Sequence, residues 1–205
     1  MHPRLDELVS RYPALASCSG DVAAAIDALI ACYRSGGKLL LCGNGGSASD
    51  CDHIAGEMLK GFGQKRPLDA AAKGRLGEAL AGQLQGSLPT LSLPSFSGLF
   101  TAWANDCDPE YVYAQLVHGF GKPGDVLLAI STSGNAKNVR HAVEVAKRSG
   151  VKVVVLTGKT GGALAPLGDI VIRVPETETF KIQEFHLPIY HTICLAVEAV
   201  MFPAL

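Results

Sequence analysis

This 205-residue chain has no basic cluster, no CxxC pair and no nucleotide fingerprint. Lys and Arg number 18 against 19 Asp and Glu, a formal net charge of −1. A general attraction for nucleic acid or acidic membranes is therefore not expected. The densest basic stretch, Lys65-Arg66 with Lys73 and Arg75 nearby, reads as a solvated helix surface. The opening Met-His-Pro-Arg-Leu-Asp lacks the apolar core of a signal peptide, and no apolar run is read as long as a membrane span. Six cysteines (Cys18, Cys32, Cys42, Cys51, Cys107, Cys194) form no regular framework. Cys32, Cys42 and Cys194 sit in apolar segments, as small buried hydrophobes do, so reduced thiols and a cytoplasmic location are expected. Neither glycine cluster is followed by GKS or GKT, and neither fits GxGxxG. Nucleotide hydrolysis and a dinucleotide cofactor are both disfavoured.

What is present is a hydrophobic content of 48%, enough for the core of one α/β domain. Short runs rich in Val, Ile and Leu alternate with helix-like segments. The runs are 38–42, 88–93, 125–130, 152–156 and 170–174, and several are continuously apolar, as strands buried on both faces of a parallel sheet are. Helices are expected over 21–33, over 135–149 (Val139, Ala142, Val143 and Ala146 on one face, Gly150 as the stop) and over 179–200. The first dozen residues read as a short helix broken at Pro13. The chain thus reads as a three-layer α/β sandwich with a central parallel sheet of about five strands. It is expected to be a single domain over 1–205, with N-terminal helices (1–35) and an inserted segment at 63–87. That insertion reads as one helix over 68–84, in which Gly74, Gly77 and Gly82 disturb the regularity.

Two loops stand at the carboxyl ends of expected strands, where open α/β sheets place ligands. Gly43-Asn44-Gly45-Gly46-Ser47 offers backbone amides and a following helix N-terminus to an anion. Ser131-Thr132-Ser133-Gly134-Asn135 adds three consecutive hydroxyls. A tight turn or a helix cap explains part of either loop; two such loops in one small domain favour phosphate.

His53 and Glu57 are four apart in the helix after the first loop and share a face. Gln183 and His191 are eight apart, about two turns of the last helix, and also share one. Two His, one Glu and one amide oxygen suit a divalent, zinc-like ion. The same residues also describe an exposed i,i+4 contact and a hydrogen-bonded core histidine, so spacing alone leaves both readings open. Glu184 reads as a surface or interface residue.

In order and spacing, GNGGSASDCDHIAGE (43–57), STSGN (131–135), VLTGKTGG (155–162) and KIQEFHLPIYH (181–191) resemble the sedoheptulose-7-phosphate isomerase (phosphoheptose isomerase) family of SIS-domain proteins. The resemblance spans the chain except 63–87. It implies a flavodoxin-like fold, a homotetramer with active sites at subunit interfaces, and an aldose–ketose interconversion leading toward heptose in surface polysaccharides. By position it implies substrate contacts from Asn44, Gly45, Gly46, Ser47, Asn105, Asp106 and Gln183, and a phosphate loop from Ser131, Thr132 and Ser133. It further implies zinc on His53, Glu57, Gln183 and His191, with Glu57 and His191 catalytic. Such chemistry moves a proton between adjacent carbons through an enediol and needs a base and an acid of moderate pKa. Three departures stand out: Ala136 where the family often has a serine, Phe96-Ser97-Gly98 where it has Asp-x-Ser, and the insertion. The alternatives are isomerisation of another sugar phosphate, or a non-catalytic member of the fold that binds the replication initiator. In that last group the positions of Glu57 and His191 tend to be replaced, whereas both are retained here.

Overall fold

The computed structural model describes residues 3–203. Residues 1, 2, 204 and 205, which the single-domain span includes, lie outside the described residues. The chain opens with α1 (Pro3–Arg11), a 3-10 turn over Pro13–Cys18 and α2 (Ser19–Arg34). Then come β1 (Leu39–Gly43), α3 (Gly46–Leu59) and two short helices, α4 (Ala70–Leu76) and α5 (Glu78–Ala81). β2 (Thr90–Ser92), α6 (Ser97–Asp106), α7 (Val112–Phe120) and β3 (Val126–Ser131) follow. The last elements are α8 (Lys137–Arg148), β4 (Lys152–Thr157), β5 (Ile170–Arg173) and α9 (Thr179–Met201).

All five strands are parallel, in the order β2-β1-β3-β4-β5. Alternate side chains of each strand enter opposite layers. Leu39 and Leu41 of β1, with Leu128 and Ile130 of β3, face a layer of α1, α2, α3 and α9. Leu40 and Cys42, with Leu127 and Ala129, face α7 and α8. Both faces are covered, which is why the central strands β1 and β3 read as unbroken apolar runs.

Three expectations need correction. Pro13–Arg34 is long and apolar enough to cross a membrane by length and composition, so such a run does exist. Leu15, Val22, Ile26 and Leu29 within it are buried in the core, packed with α1, α9 and the sheet. The insertion is two helices. Asp69 caps the first by accepting from the Ala72 amide at 2.7 Å, and Gly77, at φ 77° and ψ 156°, ends it and starts the second. Finally, Arg66 is fully buried, not a solvated helix residue. Its guanidinium is neutralised by Glu198 from α9 at 2.7 Å.

Candidate active site

Strand order reverses between β1 and β3, and in open α/β sheets the crevice beyond the carboxyl ends at such a switch point receives the ligand. The two loops read as phosphate binders follow these two strands. Between them lies a cavity of about 460 Å³ lined by Asn44–Ser47, Ser131–Ser133, Ala136, Thr179 and Gln183. The local backbone explains the glycines. Gly45 takes φ 57° and ψ −123° at the start of α3, a conformation reserved for glycine. On Gly46 a side chain would collide with the Gln183 amide, 2.3 Å from an added Cβ. Gly134, at φ 68°, packs its backbone against Gly161, where an added Cβ would sit 2.1 Å from the Gly161 carbonyl oxygen. The second loop is further pinned where Asn135 Oδ1 accepts from the Ala163 amide at 3.0 Å.

Asn44 is held by a residue not singled out from the sequence. Its side-chain amide exchanges two hydrogen bonds with that of Asn138 in α8, both 2.9 Å. The pair closes the crevice across the switch point. A hint was available, because Asn138 follows the second loop by three residues.

A second group lies further along α3 and α9. Gln183 meets Gly46 at the start of both helices, and His191 meets His53 beyond it, so the two run side by side with their N-termini toward the cavity. His53 Nε2 is 3.2 Å from Glu57 Oε1 and 3.5 Å from His191 Nε2. His53 Nδ1 pairs with the Tyr190 hydroxyl at 3.0 Å, and that hydroxyl donates to Asp50 Oδ1 at 3.2 Å. Because the tyrosine proton goes to Asp50, the Tyr190 oxygen accepts from His53 Nδ1–H, which turns His53 Nε2 toward Glu57 and His191.

Burial, the nearby His53 and, more weakly, Arg11 push the His191 pKa below its usual value, against the opposing pull of Glu57. This shift favours the uncharged imidazole. Asp50 is pushed upward by burial, partly offset by its bond from Tyr190 and by His53. Asp50 Oδ2 and Glu57 Oε2 are buried without a hydrogen-bond partner.

These donors match a divalent cation in kind. Two imidazoles and a carboxylate meet, with Glu57 Oε2 also 3.7 Å from the Lys60 ammonium, while the far nitrogen of His53 is fixed by a hydroxyl. They do not form a ready cage: among the described residues no three His, Cys, Asp or Glu side chains are arranged to hold an ion. Gln183, two turns from His191, is placed with the phosphate loops rather than with this group. Asn105 and Asp106 end α6, exposed and bonded to one another at 2.7 Å; neither lines the cavity. Asp50 and Tyr190 were missed, although Asp50 precedes His53 by one helical turn and Tyr190 adjoins His191. Glu184 is exposed, as expected.

A crevice at the switch point, built from a glycine turn and a hydroxyl loop, defines a sugar-phosphate-binding class of α/β domain. Family comparison gives the same class: a SIS-domain model matches residues 11–158, and a second matches 115–202. The phosphoheptose isomerase of Laribacter hongkongensis is 38% identical over 197 residues, covering 95% of this chain and 91% of that protein. That of Shewanella baltica is 36% identical over 201 residues, covering 97% and 92%. The structure of phosphoheptose isomerase GmhA from Neisseria gonorrhoeae superposes with a TM-score of 0.73 at 31% identity, covering 95% of this chain and 92% of that one. The chain belongs to the phosphoheptose isomerase family of SIS-domain proteins.

Proposed function

We propose that the protein interconverts sedoheptulose 7-phosphate and D-glycero-D-manno-heptose 7-phosphate. The carrying observation is the spacing of the two groups along parallel helices. Ser47 and His53 are six residues apart on α3, and Gln183 and His191 eight apart on α9, so the phosphate crevice and the imidazole–carboxylate group lie about 9–12 Å apart. An open-chain seven-carbon sugar with its phosphate in the crevice extends its carbonyl end toward that group.

The loop amides and hydroxyls hold the phosphate, with the N-termini of α3 and α8 favouring its charge. Glu57 carries the proton between C1 and C2. His191 donates to and accepts from the substrate oxygens as the enediol forms and collapses. His53, locked by Tyr190, fixes the Glu57 carboxylate. His53, Glu57 and His191 would hold a divalent ion, zinc by donor type, whose Lewis acidity stabilises charge on the substrate oxygens. A carboxylate bound to such an ion would be a weaker base, so Glu57 would act as base when not held by it. The resemblance also supports a cytoplasmic homotetramer. The buried thiols and the exposed Leu59, Phe180 and Leu187 are in keeping with this.

The test is turnover of sedoheptulose 7-phosphate with zinc added or chelated, alongside Glu57→Gln and His191→Ala, with light scattering on the same preparation. Expected are a tetramer mass, activity lost on chelation, and loss of about 10²-fold or more in each variant. No turnover by folded, zinc-loaded protein would send the assignment to another sugar phosphate.

A further inference from the structure

We propose that Arg66 and Glu198 are positioning residues for the acid–base pair, an inference that rests on the isomerase reading and extends it. Both side chains are almost wholly removed from solvent, at 0% and 2% exposure. Arg66 Nε donates to Glu198 Oε1 at 2.7 Å. Its other nitrogens donate to two backbone carbonyls at the end of α3: Nη1 to Met58 at 2.6 Å and Nη2 to Glu57 itself at 2.8 Å. The last carbonyls of a helix have no partner within it, and a cation there also complements the helix dipole. The planar guanidinium serves both needs and fixes the turn from which the Glu57 side chain projects.

The carboxylate of Glu198 does the complementary work. It accepts from the amides of Phe62 at 2.8 Å and Gly63 at 2.7 Å, tying down the chain just after α3. The Phe62 ring lies against the His191 imidazole, centroids 5.3 Å apart. Glu198 follows His191 by seven residues, two turns of the same helix. One buried pair therefore sets both the backbone of Glu57 and the wall behind His191.

A buried ion pair is a poor source of net stability, because desolvation offsets the attraction and an apolar pair of similar volume often serves as well. What an apolar pair cannot supply is the bonds to the Glu57 carbonyl and the Phe62 amide. This separates positioning from mere support of the fold. A displacement of about 1 Å at reacting groups can cost on the order of 10²-fold in rate.

The experiment uses the full chain with two variants. Arg66→Met/Glu198→Leu removes both charges together, and Arg66→Lys keeps the charge opposite Glu198 but loses the planar fork. The double variant is expected to fold but to melt below the wild type, because the Glu57 and Met58 carbonyls and the Phe62 and Gly63 amides lose their partners, with kcat down about 30-fold or more and KM within about twofold. Arg66→Lys is expected to lose about tenfold or more in kcat. Wild-type kcat in either folded variant overturns the proposal. If wild-type protein turns over no sedoheptulose 7-phosphate, the isomerase reading fails by itself. Positioning is then read from the His191 imidazole proton resonance, which the Phe62 ring current shifts. A displaced resonance in the folded variants supports the proposal, and one superimposable on wild type overturns it.

Discussion

His186 lies one turn before Tyr190 in α9, fully buried, with neither ring nitrogen in a well-formed hydrogen bond. Burial pushes its pKa down from 6.5 to about 4, against a weak opposing pull from the Thr157 backbone. The unfolded chain binds that proton near pH 6.5 and the folded chain only near 4. The native state thus holds its full advantage above about 6.5 and loses it as pH falls toward 4, by roughly 3 kcal/mol at most. Urea midpoints measured from pH 7.5 to 4.5 should fall steeply in the wild type. The slope should be shallower in His186→Leu, whatever its absolute stability; equal slopes would assign the acid sensitivity elsewhere. At this scale the sequence was an uneven guide. Helical spacing put His53 and Glu57 on one face, but it left their role open, and their joining with His191 from another helix was expected only from the family resemblance. Arg66 was misread because its partner stands 132 residues away, and a basic doublet beside glycines looks solvated until that partner is known.

Among the elements, strands were the easiest to read. β1 and β3 are buried on both faces, so their apolar character is unbroken, and observed strand ends differ from expected ones by a residue or two. The inserted helix was harder, since Gly77 leaves the helical region and no residue of α4 is buried to hold a longer helix in line. The two loops differ in how they respond to change. Gly134→Ala drives a methyl into the backbone of Gly161 at a positive φ, a clash without a flexible partner to yield. It should destabilise the protein by about 1–3 kcal/mol. Gly46→Ala meets only the end of the Gln183 side chain, which can rotate away. Its melting temperature should stay close to wild type while KM for the phosphosugar rises several-fold. Melting curves and KM values for the two variants check the contrast, which a reversed order would refute.

Over the whole molecule, the strand order 2-1-3-4-5 explains why function gathers where it does. The switch point lies between β1 and β3, and both phosphate loops issue from it. A parallel α/β sheet was legible from the apolar runs, whereas the 2-1-3-4-5 order was implied only by the flavodoxin-like resemblance, because parallel crossovers leave no mark of which neighbour each strand joins. The two ends of the site are connected by α3 and α9, which touch along their lengths. Two further hollows of about 430 and 650 Å³ lie against the inserted segment. None of the candidate site residues lines either one.

The break at Gly77 has a biochemical consequence. Leu76, Leu80 and Leu84 stand exposed on either side of it, while Arg66 before it and Leu88 after it are anchored in the interior. Chymotrypsin should cut within this stretch first, giving two fragments on a denaturing gel. Those fragments should still elute together at native size and keep wild-type kcat, since His53, Glu57 and Arg66 remain on one piece and His191 and Glu198 on the other, held across the buried core. Such a clipped protein would be a natural two-chain version of the enzyme, whose halves could be made separately and mixed.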